Sequence, residues 1–352
     1  MSSYNKILTN KFFDPPGDWL KISTIDMHTA GEPLRVVLDG FPKIEGDSIL
    51  QKRRYVKENH DHLRTALMFE PRGHADMYGC LLTEPERDES AFGIIFMHNE
   101  GYSTMCGHAT IAIARLAVEM NWIEVSEPVT SFQIDAPCGP VKVFVEMEKG
   151  KVVNCKFQGV PSFMVGKDLS IDLEQYGSIT YDIAYGGAFY AYVDINQFGI
   201  TLNADNYQEL IRLGKLMKKM VATKEWELIK HPFEEDLSFL YGTIFIGPPG
   251  NPNHHSKNVC VFADGEVDRS PTGSGVSGRM AIHHTRGEIA VGERVIIESI
   301  LRTTFATAPI EALEYGGHAA VIPEVAGTAH ITGSNSFVID PHDPLKEGFI
   351  LR

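Results

Sequence analysis

The sequence predicts an α+β chain of two similar lobes, each a curled set of strands around one central helix. Three observations predict it. Short runs rich in Val, Ile and Phe recur between turn residues along the whole chain. Two helical segments, 106–120 and 272–284, are apolar on nearly every side, and a helix of that kind belongs in an interior that a curled sheet can supply. Those two segments also resemble one another: each opens on Cys or Thr, then Gly, then a small or polar residue. Their first residues, Cys106 and Thr272, lie 166 positions apart, close to half of the 352-residue chain.

Strands are expected at 21–27, 34–38, 91–98, 129–135, 141–146 and 151–157 in the first half. In the second half they are expected at 179–185, 189–193, 239–246, 258–262 and 294–298. Two further helices, 47–68 and 204–221, mix charged and apolar residues at helical spacing and should lie on outer faces. The changeover between lobes is placed near Pro161: residues 1–160, joined by a tail at about 335–352, form the first lobe, and 161–334 the second.

Composition narrows the function. With 43% apolar and 22% charged residues the chain can bury a core without staples. A net charge of −14 argues against nucleic acid, which needs clustered Lys and Arg. It also gives no general attraction for an anionic substrate, so a carboxylate must be held by local donors. No stretch approaches the ~20 apolar residues of a membrane span, and no apolar run marks a leader at the start; a cytoplasmic protein is expected. The five cysteines, Cys80, Cys106, Cys138, Cys155 and Cys260, form no CxxC pair, so no metal site is expected from them. No lysine motif for pyridoxal phosphate is apparent, and no cofactor is expected.

Cys106 stands where a loop meets an apolar helix, in GYSTMCGHATIAIAR. The unpaired N–H groups and positive dipole end of a helix start stabilise thiolate, so its pKa is expected to fall from ~8.5 toward neutrality. Gly107 permits close approach to the backbone, and the helix start can hold a carboxylate. A buried cysteine beside a turn glycine would look the same. The second helix start, in DGEVDRSPTGSGVSGR, again presents Pro, Thr and a Gly-Ser-Gly run; Asp268, Ser270 or Thr272 could simply cap it.

MCGHATIA and DRSPTGSG together resemble the paired signatures of the proline racemase family. DMHTAGEPLRVV, HNEGYSTMCGH, YGGAFYAYVD and ESILRTTF agree in order over nearly the whole chain. The resemblance implies a fold like diaminopimelate epimerase, with the site between the lobes, and a homodimer. In that family each helix start offers a cysteine to one face of the substrate's Cα. Here the first is kept as Cys106, but Thr272 stands where the racemases carry the second. An alcohol ionises far less readily than a thiol, so two-thiol racemisation should be lost. The threonine-bearing members that the chain resembles are trans-3-hydroxy-L-proline dehydratases, whose product is Δ1-pyrroline-2-carboxylate. In trans-3-hydroxyproline the hydroxyl and the α-hydrogen share one ring face, so a single cysteine there can act as base and then as acid. The family pattern assigns the carboxylate to the backbones of Gly107, His108, Gly273 and Ser274, and the ring amine to Asp268. His108 is a further side-chain contact, and Thr272 a hydrogen-bonding partner of substrate or water. A proline or hydroxyproline racemase or epimerase is the nearest rival, predicting α-deuterium uptake with inversion. A catalytically inactive binder of proline analogues is the rival of another class; a thiol at the helix start argues against it.

Overall fold

The computed structural model describes residues 3–11 and 13–351. Two rings of strands dominate it. The second is closed: Ser162–Leu173, Gly177–Tyr185, Phe189–Asp194, Leu240–Gly247, Ser256–Phe262, Val295–Glu298, Thr304–Tyr315 and His318–Gly327 pair in that order. His318–Gly327 then returns to Ser162–Leu173 through Ala320 opposite Phe163. The first ring runs from Ala329–Ile339 through Leu20–Thr29, Glu32–Asp39, Gly79–Thr83, Ser90–Met97, Val129–Ala136, Gly139–Glu148 and Lys151–Gln158. It ends on the later part of His318–Gly327, which serves both rings.

The two rings repeat one plan. From Glu32–Asp39 the successive pairings are parallel, antiparallel, parallel, antiparallel, antiparallel. From Phe189–Asp194 the same five senses recur. A parallel pair needs a crossover, usually a helix. The first crossover of each ring carries outer helices: Ile49–Asn59 and Asp61–Met68 in one, Tyr207–Lys224 in the other. The second crossover carries the central helices, Gly107–Glu119 and Gly273–Thr285.

Both central helices are enclosed as their sequences require. Along Gly107–Glu119 only Arg115 and Glu119 escape burial, and Arg115 donates to the Ala329 carbonyl at 2.6 Å. Gly273 through Ile282 are all buried. One apolar cluster runs through both helices, from Ile111, Ile113 and Leu116 to Val276, Met280 and Ile282, so the lobes share a core at their junction.

The expected helix over 47–68 is two helices. Ser48 caps the first through its side chain to the Gln51 N–H, and the chain breaks at His60, with φ −133° and ψ 18°. Asn59, His60 and Asp61 are all weak helix formers. Restarting at Asp61 lets that carboxylate pair with Arg64 at 2.7 Å and turns Leu63, Ala66 and Leu67 inward. No helix among the described residues is long and apolar enough to cross a membrane.

Candidate active site between two helix starts

Cys106 has extended backbone, φ −145°, and immediately precedes its helix. Its carbonyl accepts from the Thr110 N–H at 3.0 Å and the Thr110 hydroxyl at 2.8 Å, while Thr29 Oγ1 donates to the His108 carbonyl at 2.8 Å. These bonds fix the first turn by its carbonyls. Neither helix start carries an oxygen cap from the residue before it, Cys106 in one and Thr272 in the other. Sequence reading allowed Asp268, Ser270 or Thr272 to cap the second helix; instead Asp268 Oδ1 accepts the Ser270 N–H at 2.7 Å and Ser270 Oγ the Thr272 N–H at 3.1 Å. That linked turn holds Thr272 at φ 69°, ψ 96°. A β-branched residue at positive φ is a genuine outlier costing roughly 1–3 kcal/mol. Its hydroxyl is buried, with the Asp268 carboxyl and the Cys260 thiol as its polar neighbours.

The two helix starts meet head to head. A Cβ placed on Gly107 would lie 2.4 Å from Gly273 Cα, and one on Gly273 would lie 2.5 Å from Gly107 Cα. Only paired glycines permit that approach, and it brings both sets of uncapped N–H groups to one point.

A small cavity forms there, lined by Cys106, Gly107, His108, Asp268, Thr272, Gly273 and Ser274, all seven residues singled out from the sequence. Tyr78, Met105, Tyr190, Tyr241 and Phe262 complete the wall. Tyr190 Oη meets Ser274 Oγ at 2.7 Å, Tyr78 bonds Ser103, and its ring packs edge-on against His108 at 4.8 Å. Tyr241 stacks on Phe262 at 5.3 Å. Of the five cysteines only Cys106 lines the cavity; Cys260 is fully buried. His98 packs against Tyr78, Tyr241 and Phe262 as part of the supporting wall. His254 bonds Glu298 and His283 bonds Glu288, and neither borders this cavity. A larger open groove at the other end of the second central helix, lined by Asp182, Arg279 and Arg286, contains none of these residues.

Electrostatics correct one expectation. Cys106 is 5% exposed; burial pushes its thiol well above the ordinary range, the Ala109 N–H and Tyr78 oppose this, and Asp268 and Glu32 add to it. The free protein therefore holds a thiol rather than a thiolate. The helix start acts in the anticipated direction, but removal of water and two nearby carboxyl groups outweigh it. His108 Nδ1 lies 3.1 Å from the sulfur, and burial holds its ring neutral, with a pKa down to about 3. Burial lifts Asp268 to about 6 against the pull of Ser270. Ionising Cys106 thus calls for positive charge inside the cavity.

Glu32 escaped the sequence reading, although it sits in the quoted TAGEP stretch. It is fully buried, and ligand atoms of Glu32, His108 and Asp268 lie within 4.8 Å of one another. That set could hold a small cation, and a ring ammonium answers to the same chemistry.

Residues 24–350 match the family model described as proline racemase. A trans-3-hydroxy-L-proline dehydratase of Colwellia psychrerythraea is 48% identical over 95% of this chain and 94% of its own. A 3-hydroxyproline 2-epimerase of Burkholderia multivorans is 45% identical over 94% and 98%. Among solved structures, a hydroxyproline epimerase from Agrobacterium vitis with bound trans-4-hydroxy-L-proline superposes with a TM-score of 0.90 at 29% identity, covering 96% of each chain.

Proposed function

The chain belongs to the proline racemase family, and from that premise we propose that it dehydrates trans-3-hydroxy-L-proline to Δ1-pyrroline-2-carboxylate without a cofactor. Overall identity does not separate this reaction from epimerisation, because relatives bearing either name lie at 45–48%. The observation that carries the reading is the pair of residues at the two helix starts: Cys106 on one, Thr272 on the other, around a single cavity. Inverting a stereocentre takes an acid and a base on opposite faces, both able to change protonation near neutral pH. Thr272 is not such a group. Syn elimination takes one such group on one face, and Cys106 supplies it.

The substrate provides what the free site lacks. Its ring ammonium brings positive charge next to Asp268, and its carboxylate is received by the uncapped N–H groups of Gly107, His108, Gly273 and Ser274. With the cation in place Cys106 can release its proton to solvent and, as thiolate, remove the α-proton. Negative charge then grows on the carboxylate, where the fixed N–H dipoles stabilise it. The Cys106 thiol next gives its proton to the departing 3-hydroxyl; water leaves, and the enamine tautomerises to the cyclic imine. Thr272 closes the opposite face, its hydroxyl turned to the substrate or to a water.

The test is to incubate purified protein with trans-3-hydroxy-L-proline and trap product with borohydride. Proline should be recovered, and Cys106→Ser should lower the rate roughly 10³-fold or more, as loss of both an acid and a base requires. α-Deuterium uptake with inversion and no loss of water would identify an epimerase, and no turnover at all a binding protein.

A further inference from the structure

Glu32 opens the strand Glu32–Asp39 and is wholly buried. Its Oε2 accepts the Arg269 N–H at 2.7 Å, while Oε1 is buried without a hydrogen-bond partner. The charged groups facing Glu32 are Asp268, Arg269 and Glu266, with neutral His108 and the Cys106 and Cys260 thiols beside them. Glu266 accepts the Asn99 N–H at 2.7 Å. The Arg269 guanidinium is committed elsewhere: it binds Asp76 Oδ2 and the Val267 carbonyl, each at 2.7 Å. Three buried carboxyl groups therefore lie near one cation, whose two terminal nitrogens are bonded to Val267 and Asp76 rather than to Glu32 or Asp268. Two carboxylates this close, out of water, cannot both stay ionised without a positive charge between them.

We propose that Glu32 and Asp268 act as a carboxyl pair that holds one shared proton in the free protein and exchanges it for the substrate's ring ammonium. This rests on the amino-acid substrate proposed above. Asp268 on the cavity wall makes the contact, and Glu32 behind it supplies the second negative charge. The exchanged proton leaves to solvent, so the pair and its occupant carry a net charge of −1 before and after. The site thereby selects a charged ring nitrogen over a neutral one, and the exchange moves the positive charge from the carboxyl pair to the cavity side, nearer Cys106. Burial raises both carboxyl pKa values, and the charge of Asp268 adds to the rise at Glu32, in accord with a shared proton. Glu32 is on this account a positioning residue that works through Asp268.

Infrared difference spectra of the full-length protein at pH 7 test the pair directly. A protonated-carboxyl band should be present in the free protein and absent in Glu32→Gln. In the unaltered protein, saturating L-proline (a ring ammonium without a 3-hydroxyl) should remove the band, and tetrahydrofuran-2-carboxylate, with oxygen in place of the ring nitrogen, should leave it. Absence of the band, its persistence in Glu32→Gln, or its survival under L-proline would overturn the proposal. Should Glu32→Gln fail to fold, the ligand comparison on the unaltered protein decides alone. In kinetics, Glu32→Gln should raise KM for trans-3-hydroxy-L-proline roughly tenfold to hundredfold. The acid limb of kcat/KM should move to lower pH, since Asp268 loses its like-charged neighbour; a purely structural role would leave that limb in place. If the band behaves as expected but no water is lost from the substrate, the dehydratase reading fails and the carboxyl pair stands.

Discussion

Adding one methyl group at the meeting point of the two helix starts should separate architecture from chemistry. In Gly107→Ala the new Cβ would sit 2.4 Å from Gly273 Cα and 2.9 Å from Gly273 C, where ordinary contacts begin at 3.4 Å. Both obstacles are backbone, so neither can rotate aside, and the lobes must part by about 1 Å to restore contact distance. A backbone N–H at about 2.9 Å from a carboxylate oxygen then lies near 3.9 Å, beyond hydrogen-bonding range. The second helix start offers at least two such donors to an anion, each worth about 1.5–3 kcal/mol toward a charged group. Losing them lowers kcat/KM by roughly 10²-fold or more. Overpacking should cost about 1–3 kcal/mol of stability, less up to ~1 kcal/mol regained because alanine favours a helix over glycine. Gly273→Ala meets the mirror-image obstacle, with its Cβ 2.5 Å from Gly107 Cα. The double variant should lose less than the sum of the two, because the first methyl has already opened the gap. Gly101→Ala, with nothing within 4 Å of its Cβ, is the nearby control and should behave as the unaltered protein. The assays are urea unfolding and initial rates on trans-3-hydroxy-L-proline. A Gly107→Ala protein of undiminished stability, with kcat/KM within threefold, would show that the helix starts do not abut and that their N–H groups do not converge.

Thr272→Cys places a second ionisable group across the cavity from Cys106, and it should acquire exchange of the α-hydrogen with inversion, read by proton resonance of L-proline in heavy water; retention of configuration throughout would count against the two-face argument. In the free protein at pH 7, iodoacetamide should alkylate Cys106 slowly, because burial keeps it a thiol, and peptide mapping that found Cys106 modified ahead of every other cysteine would contradict this. Acid should weaken the fold through its buried histidines. Burial holds His98 well below its ordinary value, His108 at about 3 and His231 at about 4. Below the unfolded value of 6.5 the unfolded chain binds the extra protons, so their contribution, complete above 6.5, is lost as pH falls toward 4. Between pH 6.5 and 5 each of the fully buried pair, His98 and His108, loses about 2 kcal/mol. Asp268 and Glu32, whose values are raised, oppose this in part. Urea midpoints should therefore drop across that interval, and a flat or rising profile would refute the sum.

What could be read before folding follows from how local each signal is. The central helices were legible because Ile111, Ile113, Leu116 and Val118 leave Gly107–Glu119 no polar face. The site was legible because its donors sit in two short motifs, and every residue drawn from them borders the cavity. Tyr241 and Phe262 were not, since an inward-facing strand residue looks alike whether it meets core or cavity. The protonation of Cys106 depends on Glu32 and Asp268, 236 positions apart and joined only by the fold. The long strands Thr304–Tyr315 and His318–Gly327 are rich in Ala, Glu and Pro, residues depleted in strands. Their identity as strands comes from pairing, His318–Gly327 being claimed by three partners at once.

A duplicated plan makes the difference between its two halves informative. Equivalent crossovers deliver two helix starts to one cavity, so symmetry alone would place equivalent groups on both faces of a substrate. The backbones already depart from that symmetry: Cys106 is extended at φ −145°, whereas Thr272 is left-handed at φ 69°. The strain falls on the residue to which we assign no proton transfer, and it is held by Asp268 and Ser270, whose turn also presents the carboxylate proposed to receive the ammonium. Relieving the strain would release that turn, so the left-handed threonine and the placement of Asp268 are one requirement. A side chain exchanged at position 272 inherits this geometry, and the number of thiols at the cavity can change from one to two with the fold unaltered.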